Sequence, residues 1–189
     1  MTHTTADMMS SIGTPHVIDI AIVGAVVLFG AAGFWRGLNK ELFITASLLL
    51  GYVVTLEWAP RWGRWLGDRF SALSTADGQY VAIAGTLLLS TLILGYISCT
   101  VAALPPADLP GRFGGLVLSA ANATFAVTVL IARARQLVLD SSQQRTLRET
   151  RIGDWLSRNL DWVVLALVVV GFLLLAGGAM TRRRRAALI

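Results

Sequence analysis

Two apolar runs joined by a six-residue polar hinge decide the solvent in which this chain can fold. Val17 to Trp35 carries one charge in nineteen residues, Asp19, and Leu42 to Leu56 carries none in fifteen, with Arg36-Gly37-Leu38-Asn39-Lys40-Glu41 between them. A helix advances about 1.5 Å per residue, so about 20 apolar residues cross about 30 Å of hydrocarbon. The pair therefore reads as a hairpin of two membrane-spanning helices. The chain is 55% hydrophobic and 14% charged, whereas soluble domains carry roughly a quarter charged residues. Its net charge of +5 does not point to nucleic acid. The basic residues stand at the ends of apolar runs and in connectors, not interleaved with aromatics on one surface, so lipid headgroups are the expected counter-ions.

Five windows are long and apolar enough to be candidate spans: 16–35, 41–59, 79–104, 112–132 and 162–181. The expected fold is all-α: a polytopic helical membrane protein with about five transmembrane helices and an amphipathic interfacial helix. Thr14-Pro15 offers an N-cap and first-turn proline for helix one, which puts Asp19 in the second turn, near the positive end of the helix dipole. Near 58–73, Trp58, Trp62, Trp65, Leu66, Phe70 and Leu73 recur at helical spacing with Arg61, Arg64 and Asp68 opposite. Tryptophan rings and snorkelling arginines suit the headgroup boundary, so this segment reads as the interfacial helix. Leu104-Pro105-Pro106 to Gly111 ends helix three. Residues 133–161 form an Arg-rich connector of one or two surface helices, too short for a domain. The polar segment 1–15 precedes the first span, and the tail 182–189, with Arg182, Arg183, Arg184 and Arg185, reads as a stop-transfer anchor at the membrane surface.

Small residues mark the expected helix contacts. Gly111, Gly115, Ser119 and Ala123 fall every fourth residue, giving a smooth face on which backbones approach closely, and Asn122 beside it can add a hydrogen bond. Gly30, Gly33 and Gly37 make a similar face on helix one, expected to meet Ser47 and Gly51 on helix two. Such faces serve either packing within the chain or a seam with another membrane protein or a second copy.

Asp19, Arg36-Gly37, Glu41 and Gly51, followed by Arg112, Gly115 and the small residues at 119 and 123, resemble the colicin V production protein family, also called CvpA-like. The resemblance covers roughly residues 17–132, a four-helix membrane domain taken here as 16–132, and leaves the fifth span and the arginine tail outside it. It implies a bacterial inner-membrane protein linked to toxin production or export and to envelope maintenance, acting through membrane partners. Asp19, Arg36, Glu41 and Arg112 are read as signature positions and interfacial anchors.

Enzyme motifs are not found: no GxxxxGKS/T loop, GxSxG elbow, HExxH or CxxC, and no carboxylate pair within a span. No catalytic, metal or cofactor site is expected. The lone Cys99 reads as a small buried helix residue, and His3 and His16 as solvated or interfacial residues. Basic residues number nine on the side of the N-terminus and connector and seven on the other. Weighting the compact clusters, the hinge and the tetra-arginine tail, places the N-terminus outside and the C-terminus in the cytoplasm. Two other functions compete with the family reading: an accessory transmembrane subunit of a large complex, and a small oligomeric channel or transporter using polar helix residues such as Thr86, Ser90 and Ser98.

Overall fold

The computed structural model describes the backbone of residues 5–97, 100 and 107–186, and, within those segments, the side chains of 16–97, 100 and 107–176. His3, Ser98, Cys99, Leu104-Pro105-Pro106 and the side chains of Arg182 to Arg185 lie outside the described residues. The described elements are all helical: α1 (Thr5–Arg36), α2 (Leu38–Arg69), α3 (Thr75–Leu89) continued by a π-helix (Ser90–Ile97), α4 (Leu109–Leu137), α5 (Ser141–Glu149), α6 (Arg151–Arg158) and α7 (Leu160–Ala186). Four stretches are long and apolar enough to cross a bilayer, His16–Arg36, Leu38–Arg69, Thr75–Ile97 and Leu109–Leu137. A fifth arises if α6 and α7, bent by 82° at their junction, are taken as one span. The chain is a polytopic helical membrane protein.

The hinge between the first two helices is a single residue. Gly37 has φ 78°, a left-handed conformation open to glycine, and a Cβ there would lie 2.3 Å from the Ala107 side chain. Helix α4 then forms the centre of the bundle, touching α1, α2, α3, α6 and α7. Its Leu118, Phe125 and Val129 are fully buried, and Phe125 meets Tyr52 of α2 edge to face at 5.5 Å.

Helix α1 packs on α4 and only lightly on α2, which corrects the expectation that the Gly30, Gly33 and Gly37 face meets Ser47 and Gly51. A Cβ on Gly33 would stand 2.4 Å from the Gly115 carbonyl oxygen and 2.2 Å from Ser119 Cβ. Gly30 faces Ala120 at an ordinary 3.5 Å. Gly51 instead faces Ser90, and Ser47 lies beside Gly95 of the π-helix. In lipid the closest approach of backbones decides partners, and the spacing pattern alone does not rank two glycine-bearing faces against each other. Gly111 is set against its own turn, near Asp108 and Ala107, while Ala123 is buried farther along α4.

Helix α2 runs unbroken to Arg69, so residues 58–73 do not form a separate interfacial helix. Pro60 lacks the N–H that would bond the carbonyl one turn earlier, yet Ala59 is 2% exposed and Gly63 is pressed so tightly on Gln79 of α3 that a Cβ would meet its backbone nitrogen at 2.8 Å. That packing holds the helix through the proline. Trp58, Trp62 and Trp65 are exposed on the outer side, with Trp58 edge-on to Trp62 at 6.1 Å and Arg61 5.9 Å from the Trp58 ring, not opposite it.

Helix α1 starts at Thr5, before Thr14-Pro15, so Asp19 is not in its second turn. Its carboxylate caps a different helix. Asp19 accepts from the backbone N–H groups of Arg151 at 3.0 Å, Ile152 at 3.1 Å and Gly153 at 3.3 Å, the orphan donors at the start of α6. The preceding α5 has its own cap, Asp140, whose carboxyl is held below its ordinary value by the Gln143 backbone N–H and then the Ser142 hydroxyl.

Replacing Gly33 by Leu is expected to lower the thermal stability of the detergent-solubilised protein by about 1–3 kcal/mol or more through overpacking. The same change at Gly24, which has open space around its Cβ position, leaves the melting curve nearly unchanged. Replacing Asp19 by Ala costs about 0.5–2 kcal/mol, and hydrogen exchange at the amides of Arg151, Ile152 and Gly153 accelerates ahead of that of α4.

Candidate functional site

Arg36 ends α1 and Glu41 lies in the first turn of α2. The one-residue turn folds the two side chains onto each other, Arg36 Nε lying 2.7 Å from Glu41 Oε1. Glu41 is 0% exposed. This corrects its reading as an interfacial anchor: a carboxylate closed off by α2 and α4 has no access to headgroups, and the guanidinium takes their place. A buried charge without a partner costs several kcal/mol, so the pair is an obligatory unit.

The other groups come from distant helices. Asn122 of α4 donates from Nδ2 to Glu41 Oε2 at 3.3 Å. Thr45, one turn beyond Glu41, has its hydroxyl 2.9 Å from Asn122 Oδ1 and 2.8 Å from the Glu41 carbonyl oxygen, sharing its proton between them. Arg36 Nη2 donates to Ser119 Oγ at 3.1 Å, and Ser119 donates onward to the Phe29 carbonyl at 2.7 Å. Arg36 Nη1 donates to the hydroxyl of Tyr96, with the guanidinium carbon 5.2 Å from that ring. Tyr96 reaches Arg36 from the end of the π-helix, a wider winding that shifts side-chain direction relative to an α-helix.

Beside this network is a cavity of about 410 Å³. One end is Arg36, Glu41, Tyr96, Ser119 and Asn122; the remaining wall includes Leu48, Leu87, Ala126 and Leu130. Of the signature residues, the structure thus joins Arg36, Glu41 and Ser119, and places Asp19 at α6. Arg112 stands apart, exposed, with Nε donating to the Ala107 carbonyl at 3.3 Å. Thr45, Tyr96 and Asn122 complete a site that the sequence pattern does not assemble. The available signal was Asn122, an amide inside an otherwise apolar span. Among the described residues, no group of three or more His, Cys, Asp or Glu is placed to hold a metal.

The chain matches the family described as Colicin V production protein over residues 18–159, about three quarters of its length. It belongs to the Colicin V production protein family. Comparison with curated proteins gives no match, nor does comparison with solved structures. The Colicin V production protein match extends beyond the expected limit at 132 and takes in α5 and α6. The physical reason is visible in the bundle: Asp19 clasps α6, and α6 packs on α1 and α4. All of α7 lies outside the matched residues.

Replacing Glu41 by Leu, or Arg36 by Leu, leaves one buried charge uncompensated and is expected to cost about 3–5 kcal/mol. The double variant Arg36→Leu with Glu41→Leu recovers most of that loss. A double-mutant cycle of unfolding in mixed micelles measures the coupling; additive losses are the contrary result.

Proposed function

We propose that this protein is a non-enzymatic, multi-pass component of a bacterial inner membrane that supports toxin production or export, or maintenance of the envelope, through other membrane proteins. Its N-terminus lies outside and its C-terminus in the cytoplasm. The observation that carries this reading is the family match over residues 18–159. The interior chemistry supports it: the ion pair, Asn122 and Ser119 are engaged with one another and hold helices together. The four arginines at the C-terminal end of α7 support the orientation, as positive charge beside a span end favours the cytoplasmic side.

An accessory transmembrane subunit of a larger complex is the second reading. Helix α1 favours it, because Val17, Ile20, Val27 and Leu28 are all more than 60% exposed and offer a long apolar surface to lipid or to a neighbouring helix.

Deletion of the gene is expected to reduce toxin release or raise detergent sensitivity of the cells, with recovery on restoring the intact gene. Normal toxin release and normal envelope resistance in the deletion strain overturn the first reading. Copurification of a fixed set of membrane subunits in mild detergent, after crosslinking, selects the second.

A further inference from the structure

The cavity beside the ion pair has two chemically different ends and an opening toward lipid. Its lining on α4 runs from Ser119 to Leu130, eleven residues or about 16 Å at the helical rise. That is close to half of the about 30 Å hydrocarbon thickness, the depth of one leaflet. Phe29 on α1 is 52% exposed, and Leu88 on α3 and Leu92 on the π-helix are 60% and 47% exposed. All three line the cavity, while α1 and α3 are at most in slight contact with each other. The gap between those helices is a side entrance from the bilayer. The part of the space walled by leucine, alanine and valine does not hold water stably, and the cavity's volume is in the range of small-molecule sites.

The polar end selects the head of the occupant. Arg36 is already matched by Glu41 at 2.7 Å, so a second charge would stand uncompensated in a medium of low dielectric constant. Hydrogen-bond donors nevertheless remain. Arg36 has five N–H groups; it donates to Tyr96 and Ser119, while its Nε is ion-paired with Glu41 without donating a hydrogen bond to it. Asn122 has two amide hydrogens and gives one to Glu41. The Tyr96 hydroxyl accepts from Arg36 and keeps its own proton to donate. An uncharged oxygen acceptor on a hydrocarbon tail complements both ends.

We propose that this cavity binds a neutral amphiphile drawn from the bilayer between α1 and α3, its tail lying along α4 and its carbonyl oxygen accepting from Arg36, Asn122 and Tyr96. The carbonyl belongs to an acyl ester of a glycerolipid or to a long-tailed quinone. This binding goes beyond the partner-mediated role and does not depend on it.

The full chain, purified in mild detergent, is photolabelled with a monoacylglycerol carrying a diazirine in its tail, and the labelled residues are mapped by mass spectrometry. Label is expected on Leu48, Leu87 and Leu130. Ala126→Phe and Ala84→Leu, each filling the cavity, reduce that label about tenfold, equivalent to about 1.4 kcal/mol of binding, with elution and melting unchanged. If Ala126→Phe does not fold, Ala84→Leu and the wild-type map carry the test. Competition by unlabelled monoacylglycerol assigns the ester source, and stronger competition by a long-tailed quinone assigns the quinone source. Label confined to outward residues such as Val17, Val27 and Phe172 overturns the proposal. Label that persists in folded cavity-filled variants, or oleate competing as well as the neutral ester, overturns it too.

Discussion

The Arg36–Glu41 pair is the interaction on which the rest of the bundle depends. Each partner would be costly in the interior alone, and together they are tolerated only with further hydrogen bonds to the remaining lone pairs and protons. Asn122, Ser119 and Tyr96 supply those bonds from α4 and the π-helix. Satisfying one ion pair therefore specifies how four helical segments meet. Apolar packing in lipid lacks such a requirement, because a leucine is about as well placed against an acyl chain as against another leucine.

Close backbone approach provides the second constraint, and it coincides in space with the first. Ser119 both faces Gly33 and accepts from Arg36, and Gly37 both turns the chain and lies against Gly115. A displacement that opened the α1–α4 contact would pull Arg36 away from Ser119. Shape and electrostatics thus oppose the same movements, and the cavity begins at the ion pair and runs away from it along α4.

Much of this architecture is legible in the linear sequence because span length and charge placement are local properties. The apolar runs, the polar hinge between the first two of them, the exposed tryptophans and helical structure in the 133–161 connector are all read from neighbours within a few turns, whereas the narrowing of that hinge to Gly37 is not. The pairing of helices is not local. Asn122 meets Glu41 across 81 residues, and Asp19 caps α6 across more than 130, with nothing in the spacing to announce either. The continuity of α2 through Pro60 is hidden for the same reason, since the contacts of Ala59 and Gly63 with another helix outweigh the local cost of a proline.

The clasp between Asp19 and α6 also closes the topology on itself. Four apolar helices separate the two ends of that clasp along the chain, yet its oxygens and amides are in direct contact. The start of the first crossing and the exit of the fourth therefore share one face of the membrane, independently of any tally of basic residues. A chemical probe that labels either segment reports the side occupied by both.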